Sequence, residues 1–271
     1  MNSEAELAAL LALARSVARE AAELIRTQRA AGVSVAATKS SITDVVTAVD
    51  KASEALIRGR IAQARPADGF LGEEGSDDVG SSGIRWVVDP IDGTVNFVSG
   101  FPEYAVSIAA ERDGASLVGV VLHVPTGIEY YATAGGGAFR DGEPIRVEST
   151  QPLARRLIGT GFNYRPEVRR AQAAAAARLL PQIGDIRRAG SCAMDLCHVA
   201  DGSLGGYLEE GVNPWDFAAG TLIAREAGAR SRLAVGVGGL TLLVCAAEAC
   251  FEELWDLGRE CGFFAAEPDN H

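Results

Sequence analysis

The stretch Asp89-Pro90-Ile91-Asp92-Gly93-Thr94-Val95-Asn96-Phe97 follows the apolar run Trp86-Val87-Val88. The apolar run predicts a strand that leaves the core, and the strand delivers two carboxylates, a proline and a Gly-Thr pair in close succession. Pro90 fixes its own φ and favours an extended Asp89, so the Asp89 carboxylate is held at the end of the strand. We therefore expect the chemistry of this protein to be centred on this stretch.

Two interpretations of the stretch are open from its own residues. In the first, a hard divalent cation relieves the repulsion between the two carboxylates; magnesium typically takes one or two carboxylates, some waters and phosphate oxygens. The amides around Gly93 and Thr94 then face an anion at the start of a helix. In the second, Asp92 caps a helix and Gly93 turns the chain, because Asp-Pro and Asp-Gly are common turn dipeptides. Residues elsewhere in the chain must decide between them.

Composition argues against several classes of function. The chain has 271 residues, of which 48% are hydrophobic and 23% charged, as is typical of a globular protein of one or two domains. Its net charge of −11 argues against nucleic acid or an anionic membrane as the main partner, and bound metal ions would have to offset this charge before a phosphate approached. Neither a leader sequence nor a membrane span is expected, because no suitable apolar segment occurs.

The cysteines and histidines also argue against several kinds of structural and catalytic site. The five cysteines are odd in number and contain no Cys-x-x-Cys pair, so neither a disulfide framework nor a zinc site is indicated. This usage fits a reducing cytoplasm, which is the expected location. His123, His198 and His271 are scattered, and a histidine-centred catalytic site is not expected.

Hydrophobic periodicity indicates helices near the N-terminus and short strands after them. A capping box at Ser3 opens a predicted helix that runs to Gly32, and a second helix is predicted from about Asp44 to Gln63. Short strands follow, with a polar loop over residues 76–83 and an antiparallel meander over residues 104–147.

Beyond residue 151 the pattern changes to alternating strands and helices. The predicted elements are strands at 157–161, 185–189, 206–209 and 240–246, and helices at 166–180, 191–202, 213–227 and 249–257. The change places a domain boundary near residue 150. We predict an N-terminal α+β subdomain over residues 1–150 and a C-terminal α/β subdomain over residues 151–271.

Four segments place acidic side chains at the end of a predicted element. They are Asp50 on the second helix, Glu73-Glu74 after a short apolar strand, Asp89 with Asp92, and Asp216 in the first turn of a helix. Each has an ordinary structural explanation: a solvated helical residue, a polar loop, a turn, or a helix start. Together they supply the oxygen ligands that two or three magnesium ions require.

These residues resemble the inositol monophosphatase family, within the lithium-sensitive, magnesium-dependent phosphatase superfamily. Three signatures match in order: Gly72-Glu73-Glu74, Asp89 to Phe97, and Trp215-Asp216-Phe217-Ala218-Ala219-Gly220. Lys39-Ser40-Ser41 followed by Asp44 to Asp50, and Ala189-Gly190-Ser191, match two further segments. The resemblance covers most of the chain. It implies an α+β fold of alternating helix and sheet layers, an αβαβα sandwich of the sugar-phosphatase type.

The resemblance also assigns roles to the matched positions. It implies that Glu73, Asp89 and the Ile91 carbonyl bind one magnesium ion, that Asp89, Asp92 and Asp216 bind a second, and that a weaker third ion uses Glu73. The implied catalytic residues are Asp50, Thr94 and Glu73, of which Asp50 and Thr94 orient and deprotonate the attacking water. The implied substrate-binding residues are Asp92, Gly93, Thr94, Gly190, Ser191, Cys192, Glu209 and Asp216. Cys192 stands where the family commonly has a smaller residue, and the stretch after Gly228 departs from the family pattern.

The implied activity is that of a magnesium-dependent phosphomonoesterase acting on a small polyol phosphate, with inositol monophosphate as the leading substrate. Histidinol phosphate, fructose 1,6-bisphosphate and adenosine 3′,5′-bisphosphate remain open, because the motifs do not separate these substrates. A regulatory or binding protein on the same fold is the alternative from another class, and a magnesium-stabilised fold without turnover is a third. The resemblance also implies lithium sensitivity and a homodimer.

Overall fold

The computed structural model describes residues 3–31, 35–38, 45–75, 77–148 and 150–265. The helices of these ranges are α1 (Glu4–Ala31), α2 (Ala48–Ala64), α3 (Thr94–Ser99), α4 (Pro166–Leu179), α5 (Cys192–Ala200), α6 (Pro214–Glu226) and α7 (Phe251–Cys261). The strands up to residue 145 are β1 (Val35–Thr38), β2 (Val45–Thr47), β3 (Gly69–Gly72), β4 (Asp77–Asp78), β5 (Arg85–Asp92), β6 (Ala105–Arg112), β7 (Ala115–His123), β8 (Glu129–Thr133), β9 (Gly137–Arg140) and β10 (Glu143–Ile145). The later strands are β11 (Leu157–Thr160), β12 (Asp185–Arg187), β13 (Gly206–Glu210), β14 (Ala229–Val235) and β15 (Thr241–Ala247).

The strands form two large sheets. The first has eight strands in the order β10-β9-β8-β7-β6-β5-β3-β4, and the second has five in the order β12-β11-β13-β15-β14. In the first sheet β3 and β5 run parallel, and the meander from β6 to β10 is antiparallel, as predicted. In the second sheet β11 runs parallel to both β12 and β13. The predicted boundary near residue 150 falls between the two sheets, and the division into subdomains stays a prediction.

Helices cover both sheets and fill the space between them. One face of the first sheet packs on α1 and α2, where Trp86 and Val88 meet Ile57. Val87, on the opposite face because side chains alternate along a strand, packs with α5 and α6, which also contact the second sheet. The far face of the second sheet is covered by α4 and α7. Two sheets flanked by helices confirm the predicted fold class.

Helix α1 confirms the predicted N-terminal helix. The Glu6 amide donates a hydrogen bond to Ser3 Oγ at 3.1 Å, which satisfies one free amide of the first turn. Its buried residues recur at helical spacing and face the first sheet: Leu10, Ala14, Val17, Ala18, Ala21, Ala22 and Ile25. No helix in the described ranges combines the length and the apolar character needed to cross a membrane.

The second helix is present, but its predicted start at about Asp44 was wrong. Strand β2 occupies Val45–Thr47 and pairs antiparallel with β1, and α2 begins only at Ala48. Three consecutive β-branched residues favour the extended conformation, and helical spacing of apolar residues does not register that preference. Asp44 and the matched Lys39-Ser40-Ser41 lie outside the described residues.

Two edge strands also differ from expectation. Strand β4 interrupts the predicted loop at residues 76–83 and pairs with β3. Strand β14, which was not predicted, pairs with β15 along its whole length. Its arginines Arg230 and Arg232 are hydrogen-bonded to Glu252 of α7, so this strand is tied to the helix.

Candidate active site

Most of the predicted site residues line one cavity of about 350 Å³, at the ends of strands from both sheets. Those in its wall are Glu73, Asp89, Ile91, Asp92, Gly93, Thr94, Gly190, Cys192, Glu209 and Asp216. Asp50 and Ser191 stand behind the wall, where they are hydrogen-bonded to Thr94 and Asp92 respectively. The fold therefore brings together residues that the sequence places up to 166 positions apart, from Asp50 to Asp216.

The parallel pairing of β3 with β5 brings Glu73 beside Asp89. The register pairs Gly72 with Val88, so the next residue of each strand emerges at the same edge of the sheet. Burial raises the pKa of Asp89 well above its usual value, and the carboxylates of Glu73, Asp92 and Asp216 raise it further. Negative charge is thus concentrated where these two strands end.

A bulge in β5 turns Asp89 and Asp92 toward the same cavity. Asp89 pairs with Ser107 of β6 and Asp92 with Ala105, so β5 contains one residue more than its partner over this interval. Residues three apart on a regular strand face opposite sides, and the extra residue cancels that alternation. The Ile91 amide donates to Asp89 Oδ1 at 3.0 Å and fixes the orientation of this carboxylate.

Asp92 joins the central stretch to α5. Its Oδ2 accepts hydrogen bonds from Ser191 Oγ at 2.6 Å and from the Ala193 amide at 2.7 Å. Burial raises the pKa of Asp92 to about 7, although both hydrogen bonds favour its charged form. The interpretation of Asp92 as the cap of the following helix was wrong, because Gly93 occupies that position without a side-chain bond. Asp92 instead satisfies an amide in the first turn of α5.

Gly93 and Thr94 carry the chain from β5 into α3. Gly93 has a φ of 96°, and a Cβ there would lie 2.9 Å from the Glu103 carbonyl oxygen, so only glycine fits. Thr94 Oγ1 lies 3.0 Å from Asp50 Oδ1 and 3.1 Å from the Ile91 carbonyl oxygen. The Thr94 hydroxyl therefore connects α2 to the end of β5 at the cavity wall.

Two further side chains of α2 hold the carboxylate-bearing segments. Ser53 Oγ donates to the Pro90 carbonyl at 3.3 Å, and Glu54 Oε2 accepts from the Glu74 amide at 2.8 Å. Both residues share a helix face with Asp50, because positions three and four apart lie one turn away. Neither was predicted as a site residue, although this spacing from Asp50 is a signal that points to them.

Glu54 anchors the turn that carries Glu73. Its carboxylate is buried and occupies the space beside Gly72, where a Cβ would collide with it. We expect Glu54→Ala to raise the Mg²⁺ concentration for half-maximal thermal stabilisation by about 10–100-fold, the usual effect of losing a group that orients a metal ligand. Glu54→Gln keeps an oxygen for the Glu74 amide and is the matched control. An equal shift in both variants would contradict the role of the hydrogen bond.

The opposite wall of the cavity comes from β13 and α6. The Tyr207 hydroxyl donates to Glu209 Oε2 at 2.8 Å, and burial raises the pKa of Glu209. Asp216 Oδ2 accepts from the Asn213 amide at 2.7 Å, while burial and then Asp92 raise the Asp216 pKa well above its usual value. Asp216 thus stabilises the start of α6 and also lines the cavity, and its role as a metal ligand stays a prediction.

Asn96 ties α3 to the segment before α5. Its Nδ2 lies 2.6 Å from the Glu103 carbonyl oxygen and 2.9 Å from that of Ala189. The side chain is buried, so these carbonyls have little access to water. Asn96 belongs to the central stretch, yet sequence reasoning assigned it no site role.

Asn96→Ala is expected to lower the free energy of unfolding by about 1–3 kcal/mol, because buried carbonyls lose their donor. Urea denaturation measures this change. Asn96→Asp keeps the shape but turns a carboxylate toward the carbonyl oxygens, so it is expected to destabilise at least as much. A change below about 0.5 kcal/mol in the alanine variant, the range typical of a neutral surface substitution, would show that Asn96 does not hold these segments together.

Part of the cavity wall was missed by sequence reasoning. It consists of Glu210 at the end of β13 and of residues that follow β11, β12 or β13 or precede β15: Phe162, Asn163, Tyr164, Arg165, Arg188, Val212, Asn213 and Leu240. These residues form no motif, and only the tertiary structure brings them together. Some of them adjoin residues that the sequence did single out: Arg188 stands directly before the matched Ala189-Gly190-Ser191, and Glu210 directly after Glu209.

The donor set of the cavity fits a hard divalent cation. The predicted ligands Glu73, Asp89, Asp92, Asp216 and the Ile91 carbonyl present oxygen atoms only, which suits magnesium and not zinc. The carboxylates of Glu73, Asp92 and Asp216 raise the pKa of Asp89, and those of Asp92 and Glu73 raise the pKa of Asp216; a cation would relieve this repulsion. Within the described ranges, no three His, Cys, Asp or Glu side chains already stand at metal-chelating spacing. The fit rests on donor chemistry and on the mutual repulsion of the carboxylates.

Known proteins share both the sequence and the fold. The inositol monophosphatase family model matches residues 6–250. The inositol-1-monophosphatase of Mycobacterium leprae is 45% identical over 90% of this chain and 91% of its own length. The Nus factor SuhB of Haemophilus influenzae is 38% identical over 81% of this chain and 83% of its own length. The structure of Mycobacterium tuberculosis SuhB matches with a TM-score of 0.81 and 42% identity, covering 94% of this chain and 98% of that one. The family model covers the strands of both sheets and the residues that line the cavity. The chain therefore belongs to the inositol monophosphatase family of phosphoric monoester hydrolases.

Proposed function

We propose that this protein is a magnesium-dependent phosphomonoesterase that hydrolyses a small polyol phosphate. Inositol monophosphate is the leading candidate for its substrate. The observation that carries the proposal is the convergence of Glu73, Asp89, Asp92 and Asp216 on one cavity, beside the hydrogen-bonded Asp50 and Thr94. The 45% identical relative named inositol-1-monophosphatase supports this choice of substrate.

The carboxylates of the cavity and the Ile91 carbonyl are the proposed metal ligands. Bound magnesium would lower the pKa of a water molecule and stabilise negative charge on the phosphoryl group. Backbone amides hold the carboxylates of Asp89, Asp92 and Asp216 in fixed orientations. Such fixed ligands need little rearrangement during the reaction.

Asp50 and Thr94 are the proposed residues for moving a proton. When the Thr94 hydroxyl donates to Asp50 Oδ1, its lone pairs remain available to accept a hydrogen bond from an attacking water. The proton can then pass through the hydroxyl to the buried Asp50 carboxylate, as in general-base catalysis. The amides of Gly93 and Thr94 are proposed to bind the phosphate oxygens. No covalent phosphoenzyme is required.

The far wall is proposed to bind the polyol. Glu209 accepts hydrogen bonds from substrate hydroxyls, and the Tyr207 hydroxyl holds its carboxylate in place. Gly190 and Cys192 line the same side. Ser191 was predicted to contact substrate; it lies behind the wall, and we propose that it acts by positioning Asp92.

A panel of phosphomonoesters tests the proposal by measuring phosphate release with and without Mg²⁺ and Li⁺. The panel consists of inositol 1-phosphate, histidinol phosphate, fructose 1,6-bisphosphate and adenosine 3′,5′-bisphosphate. Among the monophosphates of the panel, inositol 1-phosphate is expected to have the highest kcat/KM, with activity lost in chelator and reduced by lithium. Absence of turnover across the panel would overturn the enzymatic proposal at this site. We also propose a cytoplasmic location and a homodimer, the latter to be tested by light scattering.

A regulatory role is the second candidate, because one relative is named as a Nus factor. Asp92→Asn separates the roles, since a binding function would survive the loss of hydrolysis. If a phenotype of the gene deletion is rescued by wild type and equally by Asp92→Asn, the regulatory role is supported. If only wild type rescues it, hydrolysis accounts for the phenotype. The third alternative, a magnesium-stabilised fold without turnover, predicts that chelation lowers the melting temperature while no substrate is hydrolysed.

A further inference from the structure

Arg188 follows β12 and lies at the wall of the cavity, over Gly190. A Cβ at Gly190 would collide with Arg188 Nη1, and the glycine has a φ of 93°, so the backbone makes room for the guanidinium. Burial raises the pKa of Glu209 and of Asp195, and the charge of Arg188 opposes both increases. The positive charge of Arg188 therefore acts on the side of the cavity where Glu209 lies.

Arg188 has hydrogen-bond donors to spare. Within the described part of the chain its guanidinium makes no hydrogen bond and no close ion pair. Arg165, also in the cavity wall, lies 3.4 Å from Glu167 Oε1 and 3.3 Å from the Gly238 carbonyl oxygen. Arg187, the neighbour of Arg188, pairs with Asp185 at 2.7 Å outside the cavity. Among these three arginines, Arg188 is the one whose donors are not already engaged.

The geometry of a guanidinium selects the class of ligand. Its rigid fork of N–H donors matches the two oxygens of a phosphate or carboxylate, and such paired contacts are among the strongest hydrogen bonds in proteins. A polyol hydroxyl needs no such fork, and Glu209 already offers an acceptor for it. The rest of the wall is rich in carboxylates, which repel any anion placed away from the metal ligands.

We propose that Arg188 forms a subsite for a second phosphate, carried on the part of the substrate that is not hydrolysed. The inference rests on the proposed phosphatase function and extends it, because a polyol bisphosphate then engages both the metal ligands and Arg188. A polyol monophosphate engages the metal ligands alone. Arg188 thereby distinguishes the two classes of substrate.

Two compounds that differ only in the second phosphate test this subsite: inositol 1-phosphate and inositol 1,4-bisphosphate. In Arg188→Gln, KM for the bisphosphate is expected to rise by about 10–100-fold, the range of a charged hydrogen-bonded contact, while KM for the monophosphate changes by less than about threefold. Arg188→Lys keeps the charge without the fork and is expected to lie between the two. Arg187→Gln is the matched control, because Arg187 is engaged by Asp185; it should leave both KM values unchanged.

Binding separates a failure of the subsite from a failure of the proposed function. Calorimetry in an Asp50→Asn background, with and without Arg188→Gln, measures the affinity for both compounds whether or not either is hydrolysed. A selective loss of bisphosphate affinity supports the subsite. Equal effects on the two compounds, or no effect on either, overturn it. If the wild type hydrolyses neither compound while binding stays selective, the proposed function fails and the subsite stands.

Discussion

Asp89→Asn is expected to lower kcat for phosphate release by more than about 100-fold, since even groups that only orient a metal ligand contribute about 10–100-fold. Asp89 lies in β5 close to the carboxylates of Glu73, Asp92 and Asp216, and is the proposed ligand common to two metal ions. Asparagine retains one carbonyl oxygen but removes the negative charge that attracts the cation. Phosphate release from inositol 1-phosphate at saturating substrate measures the loss.

The same substitution is expected to raise the melting temperature of the protein in chelator. Burial and neighbouring carboxylates raise the pKa of Asp89 in the folded state. The stability associated with the protonated carboxyl is therefore present below its unfolded pKa and lost as the pH rises through the folded-state pKa. Near neutral pH the metal-free protein is therefore expected to become more stable when the ionisable Asp89 carboxyl is replaced by an amide. Added Mg²⁺ should stabilise the wild type strongly and the variant weakly, because only the wild type binds it well.

Asp185→Asn is the control for both measurements. Asp185 is exposed and pairs with Arg187 on the surface, so its loss is expected to leave the melting temperature almost unchanged. Activity should not change. A lower melting temperature of Asp89→Asn in chelator would show that Asp89 stabilises the metal-free fold, contrary to the repulsion described for the cavity.

Thr94→Ala is expected to lower kcat by about 10²–10⁴-fold, the usual contribution of a positioned general base, with little change in KM. The hydroxyl at 3.0 Å from Asp50 is the proposed path by which the attacking water loses its proton. Thr94→Ser retains the hydroxyl and is the matched control, expected to keep most of the activity. Steady-state kinetics at saturating Mg²⁺ separate kcat from KM.

The double variant of Asp50 and Thr94 tests whether the two residues act as a unit. If they do, Asp50→Asn combined with Thr94→Ala should be little slower than either single variant, because each already removes the same step. Multiplicative losses would mean that the residues contribute separately. A rise in KM with unchanged kcat would instead assign Thr94 to substrate binding.

Local sequence determined the chemistry of the site and much of the secondary structure. Ser3 caps α1 as predicted, because its hydroxyl and the Glu6 amide that it binds are only three residues apart. Pro90 and Gly93 similarly mark the irregular end of β5 and the turn into α3. The carboxylates of the central stretch were identifiable for the same reason, since turn residues and acids stand next to one another in the chain.

Tertiary structure alone decided how these segments meet. The bond from the Ala193 amide to Asp92 spans 101 positions, and that from Glu74 to Glu54 spans 20, so neither leaves a local pattern. The strand at β2 likewise depends on pairing with β1, which helical spacing did not reveal.

Arg188 shows the same division between local and tertiary information. Its charge and its neighbour Gly190 are visible in the sequence, but its place in the cavity wall on the side of Glu209 is not. Periodicity and turn chemistry report interactions between neighbours in the chain, and they therefore determined which groups this protein carries. Sheet register, the bulge in β5 and the packing of α2 and α5 decided where those groups point, because such contacts form only when distant segments are buried together.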